Sequence, residues 1–278
     1  LIRRFGGKGA NQAIAAARQQ AAVRMVGCVG DDEAGQSYLA RLGSEGVDVR
    51  GITVAKNVLT GTALIAVDRS AENLIIVAPG ANGKLTPAMV RRQRAAIETA
   101  NAVLLQFEVP FPALIEAVRI ANQAGVPVYL NPSPMHTGFT WAKCRVDTLI
   151  VNAGEARTLF GLEVARVGRE TLAWRKAMRR KRIGTLVITR GARATVCITA
   201  DELYEVPTPT VKPVDTVGAG DAFAGTYVAS RSEGLAVLEA LHRANYAGAL
   251  ATLKRGAQES IPSRREIDKK IRAFPRPG

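Results

Sequence analysis

The stretch Asp215-Thr216-Val217-Gly218-Ala219-Gly220-Asp221-Ala222-Phe223-Ala224-Gly225 sets a carboxylate directly after three small residues, at the start of a predicted helix. N–H groups in the first turn of a helix lack intrahelical acceptors, and small residues leave them open. Gly218, Ala219 and Gly220 therefore form a candidate anion hole for a transferring phosphate. A carboxylate beside such a hole repels bound phosphate unless it accepts a proton from an attacking hydroxyl or organises counter-charge. Asp221 could equally cap or neutralise its helix terminus, an effect of about 0.3–1 kcal/mol, and the two roles can coexist. The G-x-G element alone is not a dinucleotide fingerprint, because the upstream strand and downstream acid are absent.

A second cluster, Gly6-Gly7-Lys8-Gly9-Ala10-Asn11-Gln12, leads into the alanine-rich stretch 13–17. It is not a P-loop, since Gly9 follows Lys8 where that motif needs Ser or Thr. Its glycines let backbone approach a ligand closely, the following helix offers free N–H groups, and Lys8 and Asn11 supply donors for hydroxyls. A structural turn and cap is the competing reading.

These groups need a scaffold. Residues 102–106, 126–130, 149–152 and 185–189 are short apolar runs without strict polar alternation, as expected of strands covered on both faces; helical patterns at 112–123 and 171–180 lie between them. The predicted fold is α/β, with an open, mostly parallel sheet between helical layers, three layers in all. Residues 51–83 differ in texture. Two β-rich runs, 60–67 and 73–77, flank a polar turn at 68–72 and predict a small antiparallel β lid. In open α/β sheets, ligands gather beyond the carboxyl ends of the strands, which singles out Glu108, Asn131, Asn152, Glu155 and the Thr189–Gly191 turn.

Composition excludes several classes. The 278 residues are 47% hydrophobic and 22% charged, ordinary for a folded protein, and no apolar run reaches membrane-spanning length. The opening Leu1-Ile2-Arg3-Arg4 runs straight into glycines instead of the apolar stretch of a secretion signal, so a cytoplasmic protein is expected. Cys28, Cys144 and Cys197 are widely spaced among apolar neighbours and read as buried thiols. With only His136 and His242, a histidine-rich metal site is disfavoured. The net charge of +14 raises the possibility of nucleic-acid binding. Its densest run, 166–182, interleaves basic residues with Leu172, Trp174, Ala177 and Met178, which fits the solvated face of an amphipathic helix, and no specific nucleic-acid or membrane partner is expected.

The two glycine clusters resemble the paired signatures of the ribokinase-like, or PfkB, carbohydrate kinases. The resemblance continues in order through Thr60-Gly61-Thr62-Ala63-Leu64, Pro79-Gly80-Ala81-Asn82, Asn131-Pro132-Ser133-Pro134, Asn152-Ala153-Gly154-Glu155 and Lys254-Arg255-Gly256-Ala257-Gln258. It implies ATP-dependent phosphorylation of the ribose 5-hydroxyl, with Asp221 as base and Gly218, Ala219 and Gly220 as anion hole. It also implies sugar contacts from Gly7, Lys8, Asn11 and Glu108. Asn152, Glu155, Thr189, Gly191, Gly220 and Asn245 match the ATP and Mg²⁺ region. Asp215, Val217, Ala251, Lys254, Gly256 and Ser260 match the site of an activating K⁺, several of them through backbone carbonyls. Arg190 and Ala194 depart from the family's usual leucine and glycine. The lid resembles one that pairs with a second subunit, so a homodimer is expected. Family members carry about 35 further residues ahead of the first signature, including an N-x-D sugar anchor, so residues 1–278 are expected to form the kinase domain without that segment. Other pentoses, fructose, nucleosides and a non-catalytic binding role remain alternatives.

Overall fold

The computed structural model describes residues 4–67, 73–136 and 138–273. The strands are β1 (Arg24–Gly30), β2 (Asp48–Ala55), β3 (Thr62–Val67), β4 (Asn73–Ala78), β5 (Val103–Gln106), β6 (Val128–Asn131), β7 (Val146–Asn152), β8 (Ile183–Arg190), β9 (Arg193–Ile198) and β10 (Leu203–Val206). The helices are α1 (Lys8–Arg18), α2 (Glu33–Ser44), α3 (Pro87–Arg91), α4 (Arg94–Glu98), α5 (Phe111–Ala124), α6 (Ala153–Phe160), α7 (Thr171–Arg180), α8 (Ala219–Ser232), α9 (Val237–Ala251) and α10 (Arg264–Ala273).

Six strands form the main sheet in the order β10-β9-β8-β7-β6-β5. β5 to β8 are parallel, and β9 and β10 add an antiparallel edge. Strand alternation builds the layers. Leu149, Val151, Leu186, Ile188, Val196 and Ile198 face one core with Leu114, Val118, Trp174 and Met178 from α5 and α7. Their neighbours Ile150, Val187 and Cys197 face the opposite core with Phe223, Tyr227, Leu241 and Ala244 from α8 and α9. Both faces are covered, which is why these strands read as unbroken apolar runs. The expected strand at 126–130 sits later, at Val128–Asn131, because Val126 still bonds back to Ala121 at the end of α5 and Pro127 has no N–H for the ladder. Asn131 is therefore the last residue of a strand and not the first beyond it. On α7, Trp174 and Met178 are buried while Leu172 points to solvent.

β3 and β4 pair antiparallel as the expected lid, whose turn at 68–72 lies outside the described residues. The segment from Gly51 to Ala55 belongs instead to β2, which pairs parallel with β1. At the lid's root the two arms cross in close contact: a Cβ on Gly61 would stand 2.7 Å from the Pro79 carbonyl oxygen, and one on Gly80 2.4 Å from that of Leu59. Asp32 fastens this root to the body. It caps α2 through the Gly35 N–H and accepts from the N–H of Thr60 (3.0 Å) and its hydroxyl (2.5 Å), bonds that lower its pKa.

The third packing contact joins α1 to α8. A Cβ on Gly225 would lie 2.4 Å from the Gln12 carbonyl oxygen and 2.6 Å from Ala15 Cβ. Ordinary helix propensity makes Gly→Ala worth about 1 kcal/mol of added stability. Here the neighbouring backbone cannot give way, so Gly225→Ala is expected to destabilise the protein by about 1–3 kcal/mol in urea unfolding. An unchanged or higher midpoint would show that the helices do not meet this closely.

Candidate active site

The carboxyl ends of β5, β6, β7 and β8 present Gln106, Asn131, Asn152 and Thr189, aligned by register as Gln106 with Asn131 and Asn152 with Thr189. Three strand intervals span about 14 Å. Glu108 follows β5 at one end of this row, and the Gly191 turn follows β8 at the other.

Asp221 sits in the first turn of α8, whose N-cap, Gly218, has φ 79°. A Cβ on Gly218 would also stand 2.9 Å from the Ala257 carbonyl oxygen, so both conformation and space call for glycine. Around Gly220 a Cβ would meet nothing within 4 Å, leaving open space beside the helix start. The Asp221 carboxylate is buried, and each of its oxygens accepts from a side-chain amide of α1. Asn11 Nδ2 donates to Oδ2 at 2.8 Å and Gln12 Nε2 donates to Oδ1 at 2.9 Å. Asn11 Oδ1 is buried without a protein acceptor or donor partner.

Glu108 accepts from the Lys8 N–H at 2.7 Å, and its Oε2 lies 3.7 Å from where a Gly7 Cβ would stand. Burial raises its pKa; the Lys8 amide and ammonium oppose that shift and the charge of Asp221 adds to it. The structure thus gathers Gly7, Lys8, Asn11, Glu108 and Asp221 at one place. Tyr38 of α2, which the sequence does not single out, holds this loop. Its hydroxyl donates to the Gly6 carbonyl and accepts from Gln258 Nε2 at 3.0 Å, and burial pushes its pKa up to about 12.

At the other end of the row, Asn152, Gly154, Arg157, Thr189, Arg190, Gly191 and Arg193 line an open cleft of about 530 Å³. Asn152 and Glu155 form a reciprocal capping box on α6, with Asn152 Oδ1 accepting from the Glu155 N–H at 2.8 Å and Glu155 Oε2 accepting from the Asn152 N–H at 2.9 Å. Among the described residues the capping box uses only the Oε2 oxygen of Glu155. Arg190 resolves its ambiguity toward the hairpin: Nε donates to the Ala194 carbonyl at 2.6 Å and Nη2 bonds Glu205 at 3.1 Å. Asn245 is buried and is not among the residues lining the cleft. It accepts from the Thr195 hydroxyl at 2.6 Å and donates to the carbonyls of Val206 and Pro207, so its side chain is consumed in joining α9 to the sheet edge.

Asp215 stitches two loops together, accepting from the N–H groups of Val217 and Gly256, each at 3.0 Å. Burial works against its ionised form, but those amides and the charges of Arg4 and Arg255 outweigh it and lower its pKa. Lys254 turns its ammonium outward to Glu266 at 3.0 Å, and buried Ser260 donates to the Ala257 carbonyl. Ala251 closes the end of α9 nearby in the chain.

The α/β sheet and a carboxylate held at the start of α8 are the frame in which the comparisons with known proteins fall. Residues 2–264 match the pfkB family carbohydrate kinases. Ribokinase of Haemophilus influenzae is 36% identical over 262 residues, covering 94% of this chain and 85% of that protein. Deoxyribokinase of Salmonella typhimurium is 31% identical over 260 residues, with coverage of 93% and 84%. The structure of Arabidopsis thaliana ribokinase complexed with ribose and ATP superposes with a TM-score of 0.89 at 29% identity, covering 95% of this chain and 86% of that one. The chain belongs to the pfkB family of carbohydrate kinases, phosphotransferases whose acceptor is an alcohol group.

The raised pKa of Glu108 has a consequence for stability. The folded protein holds its proton to higher pH than the unfolded chain, so Glu108 contributes fully below the ordinary carboxylate value and that contribution is lost as pH rises through its folded pKa. Glu108→Gln removes this dependence. Wild-type stability relative to the variant is expected to fall as pH rises through that window, measured by urea unfolding; parallel pH profiles would show that Glu108 is not desolvated.

Proposed function

We propose that this protein transfers the γ-phosphoryl group of ATP to the 5-hydroxyl of D-ribose, giving D-ribose 5-phosphate and ADP. One observation carries the reading: the Asp221 carboxylate is fixed by two amides at the start of α8, beside a buried Asn11 oxygen that needs a donor. An unmet buried acceptor costs about 1–3 kcal/mol, which a sugar hydroxyl donating to it would relieve. The ribokinase relatives, one of them held with ribose and ATP, support the same choice.

Ribose lies against Gly7, Lys8, Asn11 and Glu108, with its 5-hydroxyl donating to Asp221. Asp221 takes the proton as the oxygen attacks in line, and the N–H groups at Gly218, Ala219 and Gly220 receive the developing negative charge, that of Ala219 by giving up its 3.3 Å bond to the Thr216 carbonyl. ATP lies along the cleft of Asn152, Thr189 and Gly191, with Asn245 bracing the sheet edge behind it. Glu155, with Asn152, would hold Mg²⁺ through water beside the phosphates. When bound, that ion neutralises phosphate charge.

The ionised Asp215 and the carbonyls around Val217, Ala251, Lys254 and Gly256, with Ser260, fit a K⁺ site, and the outward turn of the Lys254 ammonium removes its charge from the loop. That cation adds positive charge near the start of α8. The lid exposes Leu64 beside its cross-strand partner Ile76, with Val77 on the opposite face, which suits the lid of a second copy. Sedimentation at micromolar concentration is expected to give a dimer, and Ile76→Asp a monomer; a monomeric wild type would overturn the pairing. Among the described residues no helix is long and apolar enough to cross a membrane. The buried, unpaired thiols, with Cys197 pushed up to about 12 by burial, suit the reducing cytoplasm. The basic residues of α7 lie outside buried Trp174 and Met178, consistent with solvation and no nucleic-acid partner.

A coupled phosphorylation assay with ribose, 2-deoxyribose, fructose and nucleosides tests the substrate. Ribose is expected to give the highest kcat/KM, with several-fold loss when K⁺ is replaced by choline. Preference for 2-deoxyribose or a nucleoside would sink the ribose reading. Asp221→Asn is expected to lower kcat by about 10²–10⁴ with little change in KM for ATP; near-normal turnover would remove Asp221 from the role of base.

A further inference from the structure

The amide that holds the base is itself held in one orientation. Gln12 Nε2 donates both to Asp221 Oδ1 and, at 3.0 Å, to Asn131 Oδ1, while Gln12 Oε1 accepts from Gln106 Nε2 at 2.6 Å. Asn131 in turn donates from Nδ2 to the Ile150 carbonyl at 2.9 Å. A main-chain carbonyl can only accept. It therefore fixes Asn131 with its nitrogen toward Ile150 and its oxygen toward Gln12, and it fixes Gln12 with its nitrogen toward both Asn131 and Asp221. At the opposite side Gln106, the last residue of β5, supplies the donor that the Gln12 oxygen requires. The Gln12 amide is matched at all three contacts in this orientation; turned over, its oxygen would face two acceptors, Asn131 Oδ1 and Asp221 Oδ1.

We propose that Gln106 and Asn131 are positioning residues for the phosphoryl transfer, acting through Gln12 to keep a donor on Asp221 Oδ1. This rests on Asp221 being the base. The donor fixes the plane of the carboxylate, so that the remaining lone pairs of Asp221 meet the substrate hydroxyl. If Gln106 is replaced by a side chain that can only accept, the Gln12 amide is mismatched in either orientation: as it stands its oxygen faces the new acceptor, and turned over its oxygen faces Asn131 Oδ1 and Asp221 Oδ1, so the hold on Asp221 is loosened and the base loses its donor wherever the amide turns.

The test compares three substitutions at Gln106, a residue two hydrogen bonds away from the base. Met has nearly the shape of Gln and no donor, Lys keeps a donor, and Glu offers only acceptors when ionised. The expected order of kcat is Lys highest of the three, within about threefold of wild type, then Met, about tenfold down, then Glu lowest, a span set by the ~10²–10⁴ of general-base catalysis. KM for ATP should stay constant, so that the loss falls on kcat. A residue that merely fills space predicts the reverse, with Met mildest and both charged variants equally impaired. That order, or a loss carried by KM for ATP, overturns the proposal. Should the Gln106 variants fail to fold by urea unfolding, Gln12→Glu decides by the same split: its carboxylate still accepts from Gln106 but faces Asp221 as an acceptor, so an unchanged kcat overturns the relay. Near-normal turnover in Asp221→Asn would remove base and relay together, whereas an inactive Asp221→Asn with a flat Gln106 series removes the relay alone.

Discussion

The close seating of α1 against α8 at Gly225 is the contact from which the site follows. The two helices come from opposite ends of the chain, and α1 carries both amides that hold Asp221 of α8. Without a side chain at residue 225, the Gln12 carbonyl oxygen and the Ala15 methyl fill the place where one would be. A separation larger by one methyl group, about 1.5 Å, would stretch N–H···O bonds of 2.8 and 2.9 Å beyond useful length. Packing of small apolar residues thus sets the geometry of a polar network, and interiors are stiff enough to keep it.

Two negative groups then have to coexist in a half-buried pocket. Asp221 and Glu108 feel one another, and burial pushes Glu108 toward its neutral form. The protein answers with fixed dipoles: two side-chain amides on Asp221, the Lys8 N–H on Glu108, and the N-terminal end of α8 under Asp221. Dipoles held by the fold need no reorganisation when a proton arrives, and they add no counter-charge that would compete for the phosphate. Lys8 brings a full positive charge to Glu108. The cationic residues Arg157, Arg190 and Arg193 lie instead along the cleft at the other end of the strand row, where phosphate charge would accumulate.

Much of this was legible from the residues. The alternation of apolar runs with helical patterns is a local property, and β5 to β8, α5 and α7 fell within a few residues of expectation. Pro127 accounts for the clearest displacement, by delaying the start of β6. The β1–β2 pair was missed because Arg24–Gly30 and Asp48–Ala55 are joined through α2 and the β-rich residues 51–55 run on in sequence toward the lid. In the site, Glu108 and Asn131 stood out by their place at strand ends. Gln106 and Tyr38 did not, since their importance lies in partners 94 and 220 residues away in sequence, Gln12 and Gln258. Long-range hydrogen bonds leave no periodicity to read.

Asn245 and the Asn152–Glu155 pair show why a motif match names a region more securely than an atom. The Asn245 amide makes three protein hydrogen bonds, two of them to carbonyls of the β10 exit, so substituting it would disturb the sheet edge whether or not a nucleotide were near. The capping box at α6 is different in kind: it is exposed, each bond satisfies one helix-end group, and a carboxylate oxygen remains free. Such a cap can hold its helix and still offer charge to a ligand that must arrive and leave each cycle. The buried amides around Asp221 cannot exchange partners so cheaply, because breaking one leaves a desolvated charge unmet. Rigidity is thereby concentrated around Asp221, and the end of the row that faces the open cleft keeps groups that water can satisfy.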